Sequence, residues 1–163
     1  MIQSIFKRNN GFTLIELMIA VAILSIAASL AMPEFLRWHA QSRLRQATSE
    51  IATQLVLARM AAMNRNRPVD VTVQEAGGVV HLSAFSPTSG AAVINDKTFP
   101  IQVSSVIGSP VTVSFSSMGT RTSGGTGTQS IGVCDIYKRQ YSVAVIASGK
   151  VNWSVNPTGT PCP

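Results

Sequence analysis

Ionisable chemistry is what this chain has least of. Only 12% of its 163 residues are charged, and it holds two histidines and two cysteines. Neither His39 nor His81 belongs to a metal-spaced pair, and Cys134 and Cys162 form no Cys-x-x-Cys, so no local ligand set for a metal is present. A hydroxyl or thiol nucleophile with a base beside it is also missing, and nothing favours an enzyme. Both histidines read as structural or surface residues. The run Gly124-Gly125-Thr126-Gly127-Thr128 lacks the lysine of a phosphate loop and the third glycine of a dinucleotide fingerprint, so it reads as a flexible loop. No cofactor and no metal are implied.

The scarcity is sharpest between Phe12 and Met32, where Glu16 is the one ionisable side chain in 21 residues. At the helical rise this stretch extends about 31 Å, close to the roughly 30 Å hydrocarbon core of a bilayer. Lys7 and Arg8 precede it in a short basic leader ending at Gly11. A secretory signal cleaved near Ser29-Leu30-Ala31, or a plain single-pass anchor, would account for the length. Neither accounts for Glu16, because a carboxylate near the centre of a membrane helix costs roughly 2.5 to 3.5 kcal/mol and is usually there for a partner.

Gly11-Phe12-Thr13-Leu14-Ile15-Glu16 resembles the processing site of class III signal peptides, the leaders of type IV pilins and type II secretion pseudopilins. The resemblance implies that a prepilin peptidase cuts after Gly11 and that the new amino terminus, Phe12, is N-methylated. Glu16 then occupies the fifth mature position, where the family keeps a glutamate. In a filament whose apolar helices bundle in a water-poor core, Glu16 of one subunit can face the cationic Phe12 terminus of a neighbour, and the pairing favours registered insertion. Pro33 lies where many pilins carry a helix-kinking proline, and a kink rather than a stop is expected there.

The net charge of +6 invites a nucleic-acid reading until its distribution is followed. Lys7 and Arg8 lie in the leader. From Glu34 to Arg67 six arginines oppose two glutamates, whereas from Pro68 onward five cations oppose four acids. The excess sits on the helix. Arginines beyond the apolar stretch blur the positive-inside rule, so orientation rests on the cytoplasmic processing that the resemblance implies.

Past Pro33, Leu44, Thr48, Ile51, Leu55, Ala58 and Ala62 recur at steps of three and four, a helical stripe suited to packing on a sheet. Asn64-Arg65-Asn66-Arg67-Pro68 ends it. Alternation with a period of two then begins at Val69, and Gly77-Gly78 marks a hairpin into Val79–Phe85. Further strands are expected at Phe99–Val106, Val111–Phe115, Ser130–Cys134, Tyr141–Ile146 and Lys150–Val155, with Ser86–Ala92 and Ser116–Gln129 as loops. Outside the cytoplasm the default for Cys134 and Cys162 is a disulfide, which over about 28 residues contributes roughly 3 to 4 kcal/mol on the chain-entropy estimate.

Ala47 through Val71, Val113-Ser114-Phe115 with Gly119, and the Tyr141-to-Val151 hairpin are similar to the GspH/FimT family of minor pilins and minor pseudopilins. The expectation is an α+β, pilin-like fold: a leader over 1–11, a helix over 12–67 with 12–32 in the membrane or filament core and a kink near 33, and a β-rich head over 68–163, a sheet or sandwich. The resemblance implies a minor type IV pilin at or near the filament tip that helps to prime assembly. A minor pseudopilin of a type II secretion system is the alternative. Either would stand in the bacterial inner membrane with its head in the periplasm, then in an extracellular pilus or periplasmic pseudopilus, among other pilin or pseudopilin subunits. Some family members bind DNA in natural transformation through a Gly-Arg-x-Arg pattern. Gly149-Lys150-Val151-Asn152 keeps one of its cations, so DNA binding by Arg121, Lys138, Arg139 and Lys150 near Tyr137, Tyr141 and Trp153 is a third reading and is not favoured.

Overall fold

A single helix comes first among the described residues and eight strands follow. The computed structural model describes residues 12–99, 103–135, 137–155 and 162, so Gly11 and the leader lie outside them. The chain divides into two units, one ending at Trp38 and the other beginning at His39, and each is taken by itself.

α1 spans Leu14–Arg65. Thr13 opens it, its hydroxyl accepting the Glu16 N–H at 3.3 Å in a Thr-x-x-Glu sequence, the pattern of a capping box. Pro33 lies inside α1, which continues on either side. The helix ends where Asn66 adopts a left-handed φ of 50°; the N–H groups of Asn66 and Arg67 return to the Met63 and Ala62 carbonyls, and these two bonds form a Schellman motif.

The strands are β1 (Val69–Ala76), β2 (Val79–Phe85), β3 (Ala92–Phe99), β4 (Val103–Ile107), β5 (Val111–Phe115), β6 (Gln129–Asp135), β7 (Gln140–Val145) and β8 (Val151–Val155). They form two antiparallel sheets, ordered β3-β2-β1-β5 and β4-β6-β7-β8. The single strand expected over Phe99–Val106 is corrected by this arrangement. Phe99 ends β3 in one sheet and Val103 begins β4 in the other, and β3 takes in Ala92, expected in a loop, and residues 93–98, for which no element was expected. The physical reason is that β3 is an edge strand: Asn95 and Asp96 are exposed side by side and obscure the alternation of a half-buried strand.

In the second unit one hydrophobic core takes residues from α1 and from both sheets. Leu44, Ile51, Leu55, Ala58 and Ala62 of α1 meet Val69, Val71, Val73, Val113 and Phe115 of the first sheet and Ile131, Val133, Val143 and Val145 of the second, all without exposed surface. Thr48 sits in this stripe at no polar cost, since its hydroxyl donates to the Leu44 carbonyl one turn back, at 2.8 Å. The family-like arrangement, one long amino-terminal helix with antiparallel sheets, is thus an α+β fold.

Candidate assembly site and the surface of the head

In the first unit, the large apolar side chains from Phe12 to Met32 are each more than half exposed. α1 is long and apolar enough in this part to cross a membrane. Glu16 lies in its first turn, where a negative charge is favoured by the helix dipole. Its backbone N–H is held by Thr13, yet among the described residues its carboxylate meets no cation. The start of α1 therefore presents an exposed apolar residue just ahead of it, Phe12, and an unneutralised acid four positions on.

The head is braced by a Cys134–Cys162 disulfide, with Cα atoms 5.9 Å apart and both cysteines buried. Next to Cys134, Asp135 is buried and organises the β6–β7 turn. Its Oδ1 accepts the Tyr137 and Arg139 N–H groups at 2.9 and 2.8 Å, and its Oδ2 accepts Arg139 Nε at 2.8 Å. Arg139 also donates to Gln41 Oε1 at 3.1 Å and lies 5.4 Å from the Tyr137 ring centroid.

The four cations considered for DNA do not form one group. Arg121 is buried, and its guanidinium donates to the Gly125 and Gly127 carbonyls and to Gln129, so it shapes the 123–128 loop instead of reaching solvent. This corrects its place among candidate phosphate contacts. Arg139 is neutralised by Asp135. Lys138 and Lys150 remain exposed. The aromatic partners are engaged too: Tyr141 is buried, and Arg45 stands 5.7 Å from the Trp153 ring centroid. Arg45 and Trp153 edge an open groove of about 650 Å³ along the Ser42–Gln54 part of α1. His81 contacts Asp96 at 3.2 Å in the first sheet, and among the described residues no three metal-ligating side chains gather.

A contact that sequence inspection missed ties the helix to the two sheets. Arg59 donates from Nε to the Gly119 carbonyl at 2.8 Å and from Nη2 to the Ser148 carbonyl at 3.2 Å, joining the turns that follow β5 and β7. Gly149, at φ 79°, has no room for a side chain, since a Cβ there would run into the Gly119 carbonyl oxygen. The glycine of the stretch compared above with a DNA-binding pattern thus has a packing role.

Residues 6–32 match the prokaryotic N-terminal methylation motif, and residues 47–149 match the family described as Type II transport protein GspH. The chain belongs to the GspH family. Over 44 residues this GspH-family chain is 50% identical to the type IV major pilin protein PilA of Myxococcus xanthus (strain DK1622), a stretch covering 27% of this chain and 20% of that protein. A fimbrial protein of Pseudomonas aeruginosa is 40% identical over 57 residues, 35% of this chain and 37% of its own length. The match thus spans between a fifth and two fifths of these relatives. The fold is similar to that of the type IV minor pilin FimU of Pseudomonas aeruginosa (strain PAO1), with a TM-score of 0.54 and 14% identity over 75% of this chain and 94% of that one. Pilin-family proteins are structural subunits, processed at the methylation motif and assembled with other pilin subunits.

Proposed function

We propose that the chain is a minor type IV pilin, held by α1 in the inner membrane with its head in the periplasm until it is built into a filament at or near the tip, where it helps to prime assembly. Cleavage after Gly11 and N-methylation of Phe12 create the terminus that pairs with Glu16 of a neighbouring subunit. The observation that carries this reading is the Glu16 carboxylate, the one ionisable side chain from Phe12 to Met32 and without a cation among the described residues. A buried charge stripped of its partner is costly, so a helix bundle admits Glu16 only in the register that pairs it.

Glu16→Ala is expected to leave processing at Gly11-Phe12 intact and to lower the amount of the chain in sheared filaments by about tenfold or more. Immunoblots of filaments against whole cells measure both, and normal incorporation of the variant would overturn the proposal. A tip position predicts a few copies per filament relative to the major subunit, read by quantitative mass spectrometry of purified filaments. A minor pseudopilin of a type II secretion system is the second reading, favoured by the match to Type II transport protein GspH. Recovery in pseudopili but not in pili would select it.

A further inference from the structure

Among the described residues of the first unit, aromatic residues occur at the two ends and nowhere between. Phe12 precedes the apolar stretch; Phe35 and Trp38 follow it, and none lies from Thr13 to Glu34. Phe35 and Trp38 are three positions apart on α1, share a face with ring centroids 6.3 Å apart, and are 58% and 63% exposed. Glu34 and Arg37 flank them as an ion pair at 3.7 Å, both largely exposed. Apolar exposure followed within one turn by paired aromatics and exposed charge is the order of environments at a membrane surface, where an amphipathic ring such as the Trp38 indole, with Phe35 packed beside it, settles at headgroup level.

We infer that Phe35 and Trp38 are a headgroup-level stop for the membrane-inserted chain, setting a depth at which the Glu16 carboxylate rests at the opposite water boundary. The inference rests on the proposed membrane-held stage before assembly, and its partner is the lipid surface. Glu16 precedes Phe35 by about 28 Å along the helix axis, nearly the full hydrocarbon thickness of about 30 Å. A helix fixed at Phe35 and Trp38 therefore keeps Glu16 hydrated while the subunit waits. Its carboxylate enters a water-poor environment only when a filament offers it a cation. The same register places Pro33 just inside the headgroups and the Glu34–Arg37 pair among them.

The test uses the full chain purified from membranes and reconstituted into vesicles of phosphatidylethanolamine and phosphatidylglycerol. Trp153→Phe leaves Trp38 as the sole indole of the two tryptophans. Quenching of Trp38 by brominated lipids is expected to be about threefold stronger with bromines next to the headgroup than at the chain ends. Nitroxide labels at Ile15→Cys and Ala22→Cys read the other end: position 15 should be reached by an aqueous nickel relaxant and position 22 by dissolved oxygen. Vesicle flotation is measured on the same samples. Failure to float overturns the membrane-held stage and this inference with it. Flotation with Trp38 quenched only by aqueous iodide, or with position 15 as oxygen-rich as position 22, overturns the depth stop alone.

Discussion

Gly149 and Arg59 show how much a single position can carry in the head. An alanine at 149 must adopt a positive φ and displace the Gly119 carbonyl, which Arg59 also holds. Left-handed backbone alone costs a non-glycine residue on the order of 1 to 3 kcal/mol, and the close contact adds to it. Gly149→Ala should therefore lower the urea midpoint of the detergent-solubilised chain, monitored by near-ultraviolet circular dichroism, by more than Gly125→Ala. Gly125 also has a positive φ, but a Cβ there meets nothing within 4 Å. The exposed cations behave differently. With Arg121 buried and Arg139 paired to Asp135, only Lys138 and Lys150 of the four remain to meet phosphate. Two contacts imply a salt slope no steeper than about −1.8 for duplex DNA. Gel shifts with labelled duplex should show no retained complex at physiological salt, and a slope several times steeper would reopen the DNA reading.

Among the elements, those whose period matched their burial were legible from sequence. The stripe from Leu44 to Ala62 and the valines of β1 announce a helix and a strand that each bury one face, and the core contains those side chains. Leu55 lies at the middle of that stripe with no exposed surface. Leu55→Ala should cost about 2 to 5 kcal/mol, measured as a fall in the unfolding midpoint. β3 was not legible, because an edge strand satisfies half its backbone groups elsewhere and need not alternate. Arg121 was misplaced for a related reason. Its burial depends on a loop closing over it through the Gly125 and Gly127 carbonyls, and no local pattern in a glycine-rich segment signals that. Glu16 stood out without coordinates because an acid in an apolar run conflicts with its surroundings wherever the helix goes.

For the molecule as a whole, the two units obey different solvents. The first exposes apolar surface that lipid or neighbouring helices must cover, while the second closes its own core and adds a covalent brace. Exposure of the first unit makes detergent or membrane a requirement for handling the whole chain, since apolar patches far above a few hundred Å² drive association in water. The brace should be separable from that requirement. Reduction of Cys134–Cys162 is expected to lower the stability of the head by roughly 3 to 4 kcal/mol while leaving vesicle flotation unchanged, with melting followed by differential scanning calorimetry in the presence and absence of dithiothreitol.

The Arg59 bridge joins positions separated by 60 and 89 residues. Contacts of such sequence separation are costly to close early, so the bridge is expected to form late in folding, after both turns. An interaction absent from the transition state governs how long the native head survives, not how fast it appears. Loss of Arg59 would then leave refolding rates nearly untouched and shorten the lifetime of the folded head. Resistance to slow opening of the head is the property such a contact protects.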